Sequence, residues 1–154
     1  MIKAIYLTVL FSIATTLFGA DPFLGTWKFN PAKSSGPELP KERLLVIQEH
    51  EDIIHTSISE TAADGAALSY SFDLPKAGGE GRISGNPAFD GISIKIPDEN
   101  TREITYTKAG KVVRTSRTVL AKDGKSMTTT VTGLNDAGKP ISSALILVSE
   151  QGIH

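Results

Sequence analysis

The sequence predicts an all-β protein: a single antiparallel up-and-down β-barrel of about nine or ten strands behind an apolar leader. Two observations carry this. From Arg43 onward, short runs alternate apolar and polar residues, as Leu68-Ser69-Tyr70-Ser71-Phe72-Asp73-Leu74 does, and a period of two marks a strand with one buried face. Between the runs stand Asp64-Gly65, Gly78-Gly79, Asp90-Gly91, Ala109-Gly110, Asp123-Gly124 and Asp136-Ala137-Gly138, where glycine supplies the positive φ of tight hairpin turns. Neighbours in sequence should therefore be neighbours in space. A meander with one apolar face buries that face by closing or folding over.

Residues 1–20 stand apart from the domain. Lys3 gives a positive start, and Ala4 to Phe18 is an uncharged apolar run, shorter than the ~20 residues of a comfortable membrane span. This pattern is that of a secretory signal peptide, with the working domain at 21–154. Cleavage after Ala20 puts bulky Phe18 at the −3 position, and cleavage after Thr16 puts Ala14 there, so the site stays open, and an uncleaved anchor is the alternative. The expected location is secreted or periplasmic, with no stable membrane span after cleavage.

Taken in order, Gly25 to Asn30 alternates as a first strand with Trp27 and Phe29 on one face. Residues 31–42, with Pro31, Pro37, Pro40 and Gly36, read as a loop or lid carrying one helical turn at Pro31-Ala32-Lys33. Leu44 to Gln48 and Ile53 to Ser59 are the next strands, joined by the polar turn His50-Glu51-Asp52. The Leu68 to Leu74 strand follows, then the alternations Ile92/Ile94/Ile96 and Ile104/Tyr106. Lys111 to Ala121 is longer, Met127 to Leu134 is rich in threonine as suits a half-exposed β surface, and Ile141 to Glu150 closes the barrel.

The first strand carries a further signal. Phe23-Leu24-Gly25-Thr26-Trp27-Lys28, with the single tryptophan of the chain, resembles the opening strand of the lipocalin and fatty-acid-binding superfamily, the calycins, in its Gly25-Thr26-Trp27 motif. With Asn30 to Ser34 and the later Asp123-Gly124-Lys125 turn, the chain is also similar to small uncharacterised secreted bacterial proteins of lipocalin-like type. The resemblance implies a calycin barrel with Trp27 plugging one end. It departs from fatty-acid-binding relatives in two places: residues 31–42 are too short for a helix-turn-helix lid, and Ala144-Leu145-Ile146-Leu147-Val148 lacks their Arg-x-Tyr.

Composition narrows the function. A net charge of −1 with dispersed Lys and Arg leaves no footprint for nucleic acid, and the absence of cysteine removes disulfides and thiolate sites. There is no nucleophile elbow, phosphate loop or His-Glu-x-x-His, and none of the three histidines stands beside a serine in a recognisable arrangement. No enzyme activity and no cofactor are expected. His50 and His55 flank a turn with Glu49, Glu51 and Asp52, but the spacing matches no ligand signature, so no metal is expected either.

The function expected is the binding of a small hydrophobic or amphipathic ligand inside the barrel. The alternative is a non-catalytic interaction or inhibitor module with a packed interior. Arg114 and Arg117 lie three apart on one strand, so they point to opposite faces. Whichever faces inward can orient an anionic group. Arg117, flanked on its own face by Thr115 and Val119, is the expected one. Tyr70, Phe72 and Tyr106 share the apolar faces of their strands and complete the candidate ligand-binding set. Oligomeric state is open.

Overall fold

The computed structural model describes residues 21–135 and 137–150. The leader with its cleavage site, Asp136 and the last four residues lie outside the described residues. The described chain is all-β apart from one 3-10 turn, Pro31–Lys33, at the place expected for it. Its eleven strands are β1 (Gly25–Phe29), β2 (Glu42–His50), β3 (Ile53–Thr61), β4 (Ala67–Pro75), β5 (Gly79–Glu80), β6 (Arg82–Ser84), β7 (Gly91–Asp98), β8 (Thr101–Lys108), β9 (Lys111–Leu120), β10 (Ser126–Leu134) and β11 (Pro140–Ser149).

All strand pairs are antiparallel, and the sheet runs β5-β7-β8-β9-β10-β11-β1-β2-β3-β4-β6. It is an up-and-down meander in which β1 pairs with both β2 and β11. The curled sheet forms a nearly closed barrel. Its two ends meet through the segment 79–84, where β5 pairs with β7 and β6 with β4.

The strand count corrects the expectation of about nine or ten. The surplus comes from β5 and β6, which are two and three residues long and too short to show any period. Gly81 joins them. Its N–H donates to the Ile92 carbonyl at 3.0 Å, and a Cβ on it would lie 2.1 Å from the Asp73 carbonyl oxygen. Only a residue without a side chain fits where the chain crosses from one edge of the sheet to the other.

The interior holds two apolar clusters. One joins Ile58, Tyr70, Phe72, Leu74, Phe89, Ile92, Ile94 and Tyr106. The other joins Phe23, Trp27, Phe29, Leu120, Met127, Leu145 and Leu147. In the first strand, Gly25 has φ of 130°, a conformation that glycine adopts without strain. Trp27 is 1% exposed, and its Nε1–H donates to the Phe23 carbonyl at 2.9 Å, so the one polar atom of the ring is satisfied as the ring is buried. The first-strand motif thus builds one end of the core. At that end Arg102 of β8 lies over the Phe23 ring at 4.4 Å and pairs with Asp21 at 3.0 Å.

Candidate functional site: a polar chamber inside the barrel

Side-chain parity decides what reaches the interior. On β2, Arg43, Leu45 and Ile47 point inward; on β3, Ile54, Thr56, Ile58 and Glu60; on β9, Arg114, Ser116, Thr118 and Leu120. At the end away from Trp27 these residues enclose a cavity of about 130 Å³. Its wall includes Arg43, Glu60, Tyr106, Arg114, Ser116 and Leu145, and Pro37 to Pro40 form its rim. Toward the other end lies a second space of about 80 Å³ among Ile47, Ile54, Leu74, Ile94, Ile96 and Met127. Leu45, Phe72, Ile104 and Thr118 line both. The barrel therefore has a polar chamber and an apolar one, with a shared waist.

The loop 34–41 is held over the polar chamber by β11. Ser34 Oγ accepts the Ile146 N–H at 2.9 Å, Ser35 forms a β-bridge with Ala144, and Ser143 Oγ–H donates to the Pro37 carbonyl at 2.8 Å. Leu39 packs against the cluster containing Trp27. The prolines make this segment unable to extend the sheet, and the three anchors make it a fixed rim.

Charge inside the chamber is partly matched. Arg43 pairs with Glu60, its direct cross-strand partner, and both side chains are about one-sixth exposed, at 16% and 17%. Burial works against the Arg43 charge, but Tyr70, Glu60 and Tyr106 around it keep its pKa above the ordinary arginine value. Burial, aided by the neighbouring Tyr70, likewise raises Tyr106 above the ordinary tyrosine value, against the opposite pull of Arg43 and Arg114, and its hydroxyl hydrogen-bonds to Ser116. At neutral pH Tyr106 is a neutral hydroxyl.

Arg114 differs. Its guanidinium lies over the Phe89 ring at 4.9 Å, and Phe89 in turn packs on Tyr106 at 4.7 Å between ring centroids. Among the described residues it makes no ion pair. Glu38, exposed on the rim, pairs with neither arginine. Among the described residues the chamber thus carries one matched and one unmatched cation beside the Tyr106 hydroxyl. That arrangement suits a small anion.

The structure distributes the sequence-predicted residues unevenly. It brings together Arg114, Tyr106 and Phe72 on the chamber wall, and places Tyr70 beside Arg43, whose Nη2 is 3.5 Å from the tyrosine hydroxyl. Arg117 does not join them. It points outward and pairs with Glu103 on β8 at 2.9 Å, with 58% of its side chain exposed. The register explains this correction: Thr107 faces Val112 and Tyr106 faces Arg114, so Val113 is the extra residue of a β-bulge, and parity after it puts 114, 116, 118 and 120 inside. Thr115 and Val119, which suggested the opposite face, are exposed. Gly25, Thr26 and Trp27 line neither chamber.

Two features escaped sequence reasoning. Arg43 and Glu60 were legible in principle, because Glu60 shares the parity of Ile54 and Ile58. The second is on the outer wall. His55 Nδ1 lies 2.5 Å from Asp73 Oδ1, and Ser57 Oγ lies 3.2 Å from His55 Nε2, so one histidine does stand beside a serine. Residues 55 and 57 share a strand face, a relation that catalytic motif patterns do not contain. His50 is exposed at the end of β2, and Glu49 pairs with Lys76 rather than with either histidine.

No protein-family model and no curated protein matches the chain. Solved structures do. The S-type phycobiliprotein lyase CPES from Guillardia theta matches with a TM-score of 0.55 at 11% identity, over 86% of this chain and 90% of that one. The protein Rv2717c from M. tuberculosis matches with a TM-score of 0.52 at 16% identity, over 89% and 98%. A redesigned β barrel, mFAP1, bound to DFHBI, matches at 0.45 and 11% over 80% and 94%. The chain has the fold of an antiparallel, nearly closed β-barrel. One protein of this fold is a lyase, which overturns the expectation, drawn from absent motifs, that the chain is no enzyme. The fold does not argue against catalysis.

Proposed function

We infer that the barrel binds a small amphipathic anion, with its charged group on Arg114 and its apolar body against Phe72, Leu145 and the waist. The observation that carries this reading is an interior guanidinium with no carboxylate partner among the described residues, at the wall of a cavity. Desolvating an arginine is costly unless an anion or fixed dipoles compensate it, and a bound carboxylate would supply what Glu60 supplies to Arg43. Tyr106 and Ser116 add neutral hydrogen-bonding groups that orient a planar head group.

Size restricts the ligand. The polar chamber, at about 130 Å³, is close to the ~150 Å³ void that takes benzene in another protein. A ring or a short branched chain fits it, and a long fatty acid does not. The leader supports a secreted or periplasmic site of action, and the first-strand motif supports kinship with small secreted bacterial lipocalin-like proteins. Among the described residues no helix is long and apolar enough to cross a membrane.

The test is calorimetric titration with benzoate and with benzyl alcohol. Benzoate should bind and the uncharged alcohol should bind more weakly. Arg114→Met keeps the apolar stem and removes the charge, and it should weaken benzoate about ten- to hundredfold, the worth of a charge-assisted hydrogen bond. Benzoate binding that is equal in wild type and Arg114→Met would remove Arg114 from the site. Absence of binding by either ligand at millimolar concentration would overturn the reading.

A further inference from the structure

The outer wall of the barrel carries an arrangement that the interior site does not use. β3 and β4 lie side by side with His55 directly opposite Asp73 and Ser57 opposite Ser71. The inward residues of these strands are Ile54, Thr56 and Ile58, and Tyr70, Phe72 and Leu74, so His55, Ser57 and Asp73 project from the opposite, solvent face. Their side chains form a chain of two hydrogen bonds. His55 Nδ1–H donates to Asp73 Oδ1 at 2.5 Å, which leaves Nε2 of a neutral imidazole bare, and Ser57 Oγ–H donates to that nitrogen at 3.2 Å. The carboxylate fixes both tautomer and ring orientation. Both His55 and Asp73 remain reachable, with 39% and 48% of their side chains exposed.

This is the order of roles in an activated serine: nucleophile, base, and a carboxylate that orients the base. We propose that Ser57 is a nucleophilic hydroxyl, with His55 as its general base and Asp73 as positioning residue, and that it takes the acyl group of an activated ester. The Ser57 oxygen bonds to the acyl carbon as the carbon–oxygen bond to the leaving group breaks. The Ser57 proton passes to His55 Nε2 and from there to the departing phenolate. The result is an acyl-Ser57 ester and a free phenol.

The surroundings define the substrate class. β3 is paired along its length with β2 on one side and β4 on the other, so its amides are committed to the sheet ladders and offer no oxyanion cradle. Activation must then come from the leaving group, which selects aryl esters over alkyl esters and amides. Val46, opposite Ser57 on β2 and outward by the parity of Leu45 and Ile47, gives a small acyl group an apolar neighbour.

The experiment uses p-nitrophenyl acetate and the full chain. A burst of p-nitrophenolate stoichiometric with protein is expected, with one acetyl group mapped to Ser57 by peptide mass spectrometry. Ser57→Ala should abolish that acetyl. His55→Gln should slow acetylation about 10²-fold or more, the usual worth of a positioned general base. Asp73→Asn, which keeps the shape of the pair, should slow it while leaving thermal unfolding unchanged. Acetyl on lysines with Ser57 untouched, or acetylation of Ser57 at the wild-type rate in His55→Gln, would overturn the proposal. Neither result bears on benzoate binding, which takes place on the other side of the wall.

Discussion

A guanidinium inside a barrel is stable when something compensates its charge, and this chain meets that requirement in two ways. Arg43 has Glu60 and Arg102 has Asp21, whereas Arg114 has the face of Phe89. Removing the carboxylate from a buried pair leaves an uncompensated charge, so Glu60→Gln should lower unfolding stability by roughly 3 kcal/mol in urea titrations. A loss below about 1 kcal/mol, as exposed pairs give, would mean that the Arg43–Glu60 pair is solvated. At this scale the sequence was half legible. Tyr106 and Phe72 were readable from alternation, because their strands are regular. The choice between Arg114 and Arg117 was not, because the bulge at Val113 resets parity inside a run whose apolar residues, Val112, Val113 and Val119, fall on both faces. The His55–Ser57–Asp73 contact crosses two strands and needed the β3–β4 register before it could be seen.

Each strand is defined by its turns, and two junctions carry most of the risk. At Gly81 the chain switches from pairing with β7 to pairing with β4, against the Asp73 carbonyl. Gly81→Ala forces backbone apart where the barrel closes. A loss of about 1–3 kcal/mol is expected, with faster amide exchange in β5 and β6 than in β10 and β11. Unchanged stability would show that the closing segment is not tightly held. At the β7–β8 turn, Asp98 Oδ1 accepts the Asn100 N–H at 2.9 Å, and that bond, followed by one from the Thr101 side chain, holds the Asp98 carboxyl below the usual aspartate pKa. A carboxylate lowered on folding adds stability above its unfolded pKa and loses it as pH falls through the folded value. Asp98→Asn should therefore lessen the loss of stability on acidification below about pH 3.9, the ordinary aspartate value, read from urea midpoints. An acid profile identical to wild type would assign the effect to other groups. The long strands and the turn Pro31–Lys33 were legible because periodicity and proline are local signals. β5 and β6 were not, because their existence depends on the two sheet edges they join.

The whole molecule is a barrel with a floor, a waist and a rim. The floor is built by the first strand and its approach: Trp27 is held by Phe23, and Phe23 is capped by Arg102. That division explains why Gly25-Thr26-Trp27 announces the architecture while the proposed ligand chemistry lies elsewhere, on β2, β8 and β9. The rim is the proline-rich loop strapped to β11, and the polar chamber lies beneath it. The central claim is that a small anion sits in this chamber against Arg114. It is tested most directly by intermolecular nuclear Overhauser effects between the ring protons of bound benzoate and the side chains of the labelled protein. Contacts to Phe72, Tyr106 and Leu145, lost in Arg114→Met, are the expected result. Contacts to the exposed Val112 and Leu134 at saturating benzoate, with none to Leu145, would contradict it.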